Sequence, residues 1–343
     1  MKAIGKYFLL FLLIVIFITF LRFILDLKSL LNVPSKTESA LLHGTPHLAL
    51  VVGVLSKLTA RNRRDSVRLT WFQSCRRHST VVCRFFTDTI EDIALEEKRR
   101  YVNESNTHND LIFMPYKGGH NFALRLVWML QWYMKKFHFD YFLRIDDDYF
   151  LCLDRLLFEL PQRKYQALYW GYIHCTEHVI RVDEGWMILS RDIIKEALSK
   201  FNTTLQCHPF GDQAVALWVQ DSKLNITYFS DNSRVIHAAT AYQSENFLNT
   251  NICKKYLALH GSYPTLMMKY WIISQEFNPK QTVYEIPDII PFDQVCKFKK
   301  EIDWRWFWPH VRFEPRPCKD NPKWDITDQA FIGRQDKGEE AIY

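Results

Sequence analysis

The sequence predicts an α/β protein built on a mostly parallel sheet with helices on both faces. Two observations predict it. Apolar runs of strand length alternate with amphipathic helical stretches from residue 47 to residue 145, the order that gives parallel strands joined by crossover helices. The last of these runs ends in three consecutive carboxylates, Asp146-Asp147-Asp148, and ligands of such sheets bind beyond the carboxyl ends of the strands.

The elements follow in chain order. His47 to Leu55 is one continuous apolar run, as a strand buried on both faces requires. Arg61 to Ser74 is polar with Val67 and Trp71 spaced i, i+4, a helix. Thr80–Phe86 is the second strand, Asp88–Tyr101 a charged helix, Asp110–Met114 the third strand, and Asn121–Phe137 a long amphipathic helix with few breakers. Tyr141–Ile145 is the strand that delivers the carboxylates. Tyr169–Tyr172 and Gly185–Leu189 are further strands, Arg191–Phe201 a helix, and Asp212–Val219 a short helix after Phe210-Gly211. Beyond about residue 262 the pattern degrades, and no regular structure is assigned to a tail rich in Pro, Trp and charge. Its Trp304–Trp308 cluster suits a cover over the core better than a platform for sugar rings.

At 48 % hydrophobic and 24 % charged, the 343 residues hold ample material for a large core in one or two domains. The net charge of +6 is mild and dispersed, with no Lys/Arg stripe, which argues against a nucleic-acid partner. No internal repeat and no low-complexity tract is present.

Residues 7–25 are almost wholly apolar, interrupted by Thr19 and Arg22. Nineteen residues span ~28 Å, the thickness of an early-secretory bilayer. Lys2 and Lys6 precede them, so residues 1–6 are expected in the cytosol and the remainder in the lumen, a type II anchor. The bulky stretch Arg22–Leu27 lacks a small-residue cleavage site, against the alternative of a cleaved signal peptide. Residues 26–46, with Pro34 and Pro46, read as a stem. A lumen fits the sequons at Asn103, Asn202 and Asn225, and the eight scattered cysteines, none in a C-x-x-C pair. Which cysteines pair, and which stay buried thiols, is left open.

Three adjacent carboxylates repel one another unless a partner offsets the charge. A divalent cation, Mn²⁺ or Mg²⁺, suits such oxygen ligands and would in turn neutralise a diphosphate; the plain alternative is a solvated acidic turn. In extended chain Asp146 and Asp148 share one face, Asp148 as direct metal ligand and Asp146 as metal or nucleotide contact. His237 and His260 are candidates to complete the shell, each equally a satisfied histidine of the fold. Arg64, Arg68 and Trp71 lie at i, i+4 and i+7 of one helix face; they either neutralise a diphosphate or brace the fold, the latter favoured. Asp212, near a helix start, reads first as an N-cap.

Taken together, these segments resemble the beta-1,3-galactosyltransferase family. Arg64-Asp-Ser-Val67-Arg68-Leu-Thr70-Trp71 is similar to its R-x-x-[IV]-R-x-T-W signature, and Asn121–Arg125 to its N-L-T-x-K helix start. Phe142–Phe150 is similar to its strand plus D-D-D-x-F, and Gly185–Ser190 to G-Y-V-L-S. Gly211-Asp212-Gln213 stands where the family carries E-D-V, and Tyr256-Leu257-Ala258-Leu259-His260 resembles the Y-L-x-x-H segment of the proteoglycan-linker galactosyltransferases. Gly211 and Gln213 depart from the family residues, and the segment before G-Y-V-L-S is shortened to Arg181–Glu184.

The resemblance covers roughly residues 47–265 and implies a GT-A fold, a type II Golgi membrane anchor, a UDP-sugar donor, a glycan, glycoprotein or glycolipid acceptor, Mn²⁺ and inversion at the anomeric carbon. It assigns the metal motif to Asp146–Asp148 and the base to Asp212; Asp146, Asp147, Arg64 and Arg68 are the candidate donor contacts, and Asp183 and Glu184 the next places to look for that base. Galactose in β1,3 linkage is the first expectation for the sugar, N-acetylglucosamine or N-acetylgalactosamine the alternative. A non-enzymatic glycan binder or partner on the same fold is the rival that Gly211 and Gln213 favour. A phosphotransferase lacks a glycine-rich phosphate loop. Residues 266–343 are expected to be a separate C-terminal extension.

Overall fold

Val, Leu and aromatic residues that alternate between two buried faces make the centre of this molecule a sheet covered on both sides. A computed structural model of the chain describes residues 46–118, 121–175, 180–237, 247–248, 252–275, 286–290 and 313–324. The expected anchor at residues 7–25, the Trp304–Trp308 cluster and the stem up to residue 45 lie outside the described residues. Among the described residues no helix is long and apolar enough to cross a membrane.

The strands are β1 (His47–Leu55), β2 (Val81–Thr87), β3 (Leu111–Phe113), β4 (His138–Asp146), β5 (Phe150–Leu151), β6 (Leu168–Cys175), β7 (Ile180–Ser190), β8 (Gln206–Cys207), β9 (Thr227–Ser230), β10 (Val235–Ile236), β11 (Ala258–Leu259) and β12 (Arg316–Pro317). The α-helices are α1 (Arg61–Leu69), α2 (Phe72–Arg77), α3 (Leu95–His108), α4 (Phe122–Lys136), α5 (Leu153–Glu159), α6 (Arg191–Ser199), α7 (Gly211–Gln220), α8 (Ile252–Lys255) and α9 (Pro264–Gln275).

Among the described residues the main sheet has seven strands in the order β3-β2-β1-β4-β7-β6-β9. Only β7 runs against its neighbours, pairing antiparallel with β4 and β6, so the sheet is mostly parallel as expected. The order reverses between β1 and β4, whose last residues Leu55 and Asp146 lie side by side. This is a topological switch point, where a crevice opens beyond the strand ends. Along β1, Leu50, Val52 and Val54 join one core with α1, α2 and α5, while Leu48, Val51 and Leu55 join the other with α4, α6 and α7.

Gly171 sits where β6 shifts register against β7. A Cβ there would stand 2.6 Å from the Trp186 carbonyl oxygen, backbone that has no room to yield, and would also strike Val182. Gly171→Ala is therefore expected to destabilise the fold by about 1–3 kcal/mol, the usual cost of overpacking, measurable by denaturant unfolding. An unfolding midpoint equal to wild type would show that β6 relaxes freely.

A second, three-stranded sheet, β10-β11-β5, folds the later chain back onto the residues just after the acidic triplet. Cys152–Cys253 closes a 101-residue loop beside it, a constraint worth about 4–5 kcal/mol on the chain-entropy account. Cys75–Cys83 and Cys207–Cys318 are also disulfides, so six of the eight cysteines pair among the described residues. The domain end expected at residue 265 falls inside α9, which packs on α1. Residues 316–317 return to pair with β8 next to Cys207–Cys318, so this part of the tail belongs to the same unit.

Candidate active site

The acidic triplet does not continue the strand. β4 ends at Asp146 and the chain turns, Tyr149 N donating to Asp146 O at 3.3 Å. The extended geometry that would place Asp146 and Asp148 on one face is thereby replaced. The turn brings Asp147 and Asp148 together onto Arg63, whose Nη1 is 3.1 Å from Asp147 Oδ1 and 3.5 Å from Asp148 Oδ2. Asp146 pairs instead with Arg144 of its own strand at 3.0 Å. Trp71 Nε1 donates to the Tyr149 carbonyl at 3.0 Å and fixes the turn from behind.

Arg64 and Arg68, expected on the donor diphosphate, are in the core. Arg64 is 0 % exposed: it holds Glu104 at 2.8 Å through both Nε and Nη2, and donates to the Lys57 and Leu58 carbonyls. Arg68 bridges Glu104 and Asp110. Both guanidiniums are saturated by partners that cannot leave cheaply, so they brace the β1–α1 connection. The residue that reaches the acids is their neighbour Arg63. One helix position from Arg64 is about 100° of rotation, and that places Arg63 off the buried stripe; this was the available signal, and the motif spacing drew attention away from it.

The small second sheet brings His260 and His237 to the turn. Ser262 N donates to Asp148 O at 2.7 Å, and His260 Nε2 lies 3.5 Å from Asp148 Oδ2. The two imidazoles stack at 4.7 Å, and the Tyr149 hydroxyl is 3.3 Å from His237 Nδ1. Burial opposes charge on Asp148, but His260 and Arg63 outweigh it and hold the carboxyl well below the usual range. His260, although burial disfavours its cation, is pushed up to about 9 by Asp148. His237 is depressed, chiefly by burial.

The donor chemistry at the turn fits a hard divalent cation. Asp147 Oδ2 and Asp148 Oδ1 are buried without a hydrogen-bond partner among the described residues, and His260 adds a nitrogen that gives up its proton when a metal takes its place. The four expected ligands do not form one shell, and no three such groups converge among the described residues. Arg144 holds Asp146, and His237 faces Asp183 at 3.8 Å. Asp148 and His260 remain as the two protein groups that could hold such a cation. Sites of this type take one or two carboxylates and draw the rest from phosphates and water.

Across the crevice, α7 begins at Gly211 with Phe210 as its N-cap, so Asp212 lies in the first turn, where its Oδ1 accepts the Gln213 N–H at 2.8 Å. Its Oδ2 is ion-paired with Arg181 Nη1. Glu184 Oε2 accepts the Gly211 N–H at 2.7 Å, and the Glu184 carbonyl accepts from Arg144 Nη1. Asp183 bonds His174 Nε2 at 2.9 Å; despite burial, His174 and His237 hold its carboxyl below the ordinary range. Gly185 packs against the Tyr149 ring, which joins this acidic segment of β7 to the triplet turn. Gln213 is 1 % exposed, and its Nε2 has no partner among the described residues. Arg181 and His174 carried no recognisable spacing, because their partners Asp212 and Asp183 lie 31 and 9 positions away, and the bond of Arg144 to the Glu184 carbonyl spans 40.

Residues 62–187, from α1 to within β7, match the Galactosyltransferase family model. Beta-1,3-galactosyltransferase 6 of Mus musculus is 34 % identical over 130 residues, which are 36 % of this chain and 40 % of the mouse protein. The match thus spans well under half the length of that curated relative. Among solved structures, a glycosyltransferase involved in the glycosylation of the major capsid of PBCV-1 is 14 % identical with a TM-score of 0.38, covering 64 % of this chain and 99 % of that one. The apo structure of the bifunctional WbbM is 11 % identical with a TM-score of 0.30, covering 51 % of this chain and 37 % of that one. Both structural likenesses are too distant to bear on the site. The family match includes the acidic turn and Glu184 and stops before Asp212, His237 and His260. By these sequence matches residues 62–187 are similar to the Galactosyltransferase family and, within it, to a beta-1,3-galactosyltransferase.

Proposed function

We propose that this chain is a GT-A-type inverting glycosyltransferase that moves a hexose from a UDP-sugar to a hydroxyl of a glycan or glycoconjugate. The observation that carries the reading is the acidic turn at the β1/β4 switch point, where Asp148, with one oxygen unpartnered, meets His260 and Arg63. Asp148 and His260 would hold Mn²⁺ or Mg²⁺, which when bound supplies Lewis-acid neutralisation of the departing diphosphate. Arg63 adds a positive charge beside Asp147 and Asp148. Glu184 on β7 lies within charge range of Asp146 and of Asp212 at the start of α7, and this carboxyl pair would supply the base; the family resemblance favours Asp212. Galactose in β1,3 linkage is the first choice of sugar, an N-acetylhexosamine the second.

A type II anchor in the Golgi membrane with a luminal catalytic domain completes the proposal. Three disulfides and exposed Asn103, Asn202 and Asn225 support an oxidising lumen. A glycan binder without turnover is the second reading, favoured by Gly211 and by the Gln213 amide nitrogen, which has no partner among the described residues. A panel of UDP-sugars with Mn²⁺, read by UDP release, separates the two. Release from one UDP-hexose above the others is expected; release from none would leave the binder.

A further inference from the structure

The sequon at Asn202 lies in a turn that follows α6, where the backbone N–H groups of Thr203, Thr204 and Leu205 all donate to the Lys200 carbonyl at 3.0 Å. Asn202 itself is exposed. Beside this turn is a groove of about 350 Å³, bounded by the end of α6, by β8 and by the last turns of α7. Thr204 and Leu205 of the turn line it. Two residues of chain span at most ~7 Å, so Asn202 stands at the rim.

The groove has the chemistry of a sugar site. Its apolar part is Leu205, Leu217 and Trp218. Trp218 Nε1 is committed to the Gln206 carbonyl at 2.6 Å, so the indole offers carbon surface. Its polar part is the Thr204 hydroxyl, the Gln206 side-chain oxygen and Asp221 Oδ1, none of which makes a hydrogen bond among the described residues. Asp221 Oδ2 is held by Lys200 Nζ at 2.8 Å, which fixes that rim. An N-acetylated sugar has matching parts. Its ring face and acetamide methyl are apolar, its hydroxyls and acetamide N–H donate, and its acetamide carbonyl accepts. The volume is at the lower end of the ~300–1,000 Å³ of small-molecule sites, which suits a sugar unit and not a long chain.

Resting on the luminal placement proposed above, we propose that this groove is the docking site of an N-linked glycan on Asn202, and that it takes the N-acetylglucosamine core nearest the asparagine. The covalent tether supplies what the small groove lacks. A short flexible link gives an effective concentration on the order of millimolar, so a contact too weak to hold a free sugar stays occupied. The docked core covers Trp218 and Gln206, and Gln206 pairs with Pro317 next to the Cys207–Cys318 disulfide. The glycan thus shields the place where the tail returns to the main unit.

The test uses the full chain made in a glycosylating eukaryotic cell. Peptide-N-glycosidase is added to folded and to unfolded protein, and conversion of each glycosylated asparagine to aspartate is timed by peptide mass spectrometry. Cleavage follows the fraction of time that a protected group is open, so folded Asn202 should release its glycan at least about tenfold more slowly than unfolded Asn202. It should also be slower than any other occupied sequon of the folded chain, and that difference should vanish on unfolding. Gln206→Ala removes one polar partner and should speed release at Asn202 alone. The proposal is overturned by an unmodified Asn202 beside a glycosylated Asn103 or Asn225, by release at Asn202 as fast as at those sites in the folded chain, by slow release that persists after unfolding, or by unchanged release in Gln206→Ala. A chain with no glycan at any sequon overturns the luminal placement and this proposal with it.

Discussion

Asp148→Ala is expected to lower UDP affinity in Mn²⁺ by more than about 100-fold while the chain still folds. The bound is set by metal sites in general, where losing an outer-shell partner already costs about 10–100-fold. Asp148, like Asp147, has a buried oxygen without a partner among the described residues, and its other oxygen is shared between Arg63 and His260 at 3.5 Å each. The fold should survive, because the turn is held through backbone: Trp71 Nε1 on Tyr149 O, and Ser262 N on Asp148 O. Calorimetric titration of UDP with and without Mn²⁺ checks it. Equal affinity in variant and wild type would remove the triplet from the nucleotide site.

Glu104→Ala is expected to be the most damaging single change to stability, about 3–5 kcal/mol, because it leaves the buried Arg64 without a carboxylate and removes one of the partners of Arg68. Glu104 is 1 % exposed and takes three hydrogen bonds from Arg64 and Arg68. Tm should fall on the order of 10 °C. Burial opposes the Glu104 charge, but Arg64 and then Arg68 outweigh it, so its folded-state pKa lies below the ordinary 4.5. The sign follows: the contribution is fully present above 4.5 and fades as pH falls through the lower folded value. The gap between wild type and Glu104→Ala should therefore narrow in acid. A constant gap down to pH 2 would mean that packing, and not charge, carries the effect.

The strands could be read from sequence because they are buried on both faces and show as unbroken apolar runs; β1 was expected and found at residues 47–55. The helix after β2 was expected from Asp88 but begins at Leu95, because the Asp88 side chain serves long-range partners, Arg125 and the Leu58 N–H. α9 went unrecognised. Apolar residues surround it on all sides, so no period emerges, although only Leu266, Met267, Tyr270 and Ser274 are buried. At the site, sequence could name the acids and the two histidines. It could not show the turn after Asp146 or the meeting of Glu184 with Gly211 across 27 positions. Those contacts are tertiary, and no local pattern encodes them.

The site also has a history within each molecule's synthesis. Asp148 and His260 are 112 positions apart (260 − 148), and β5, β10 and β11 join only when the later chain arrives. At about 5–20 residues per second, the acidic turn waits roughly 6–22 s on the ribosome before its histidine partner emerges. Throughout that interval Cys152 is a thiol without Cys253, exposed to premature pairing with Cys75 or Cys83. Newly made chains should therefore depend on disulfide isomerase for yield, more than the stability of the finished fold would suggest.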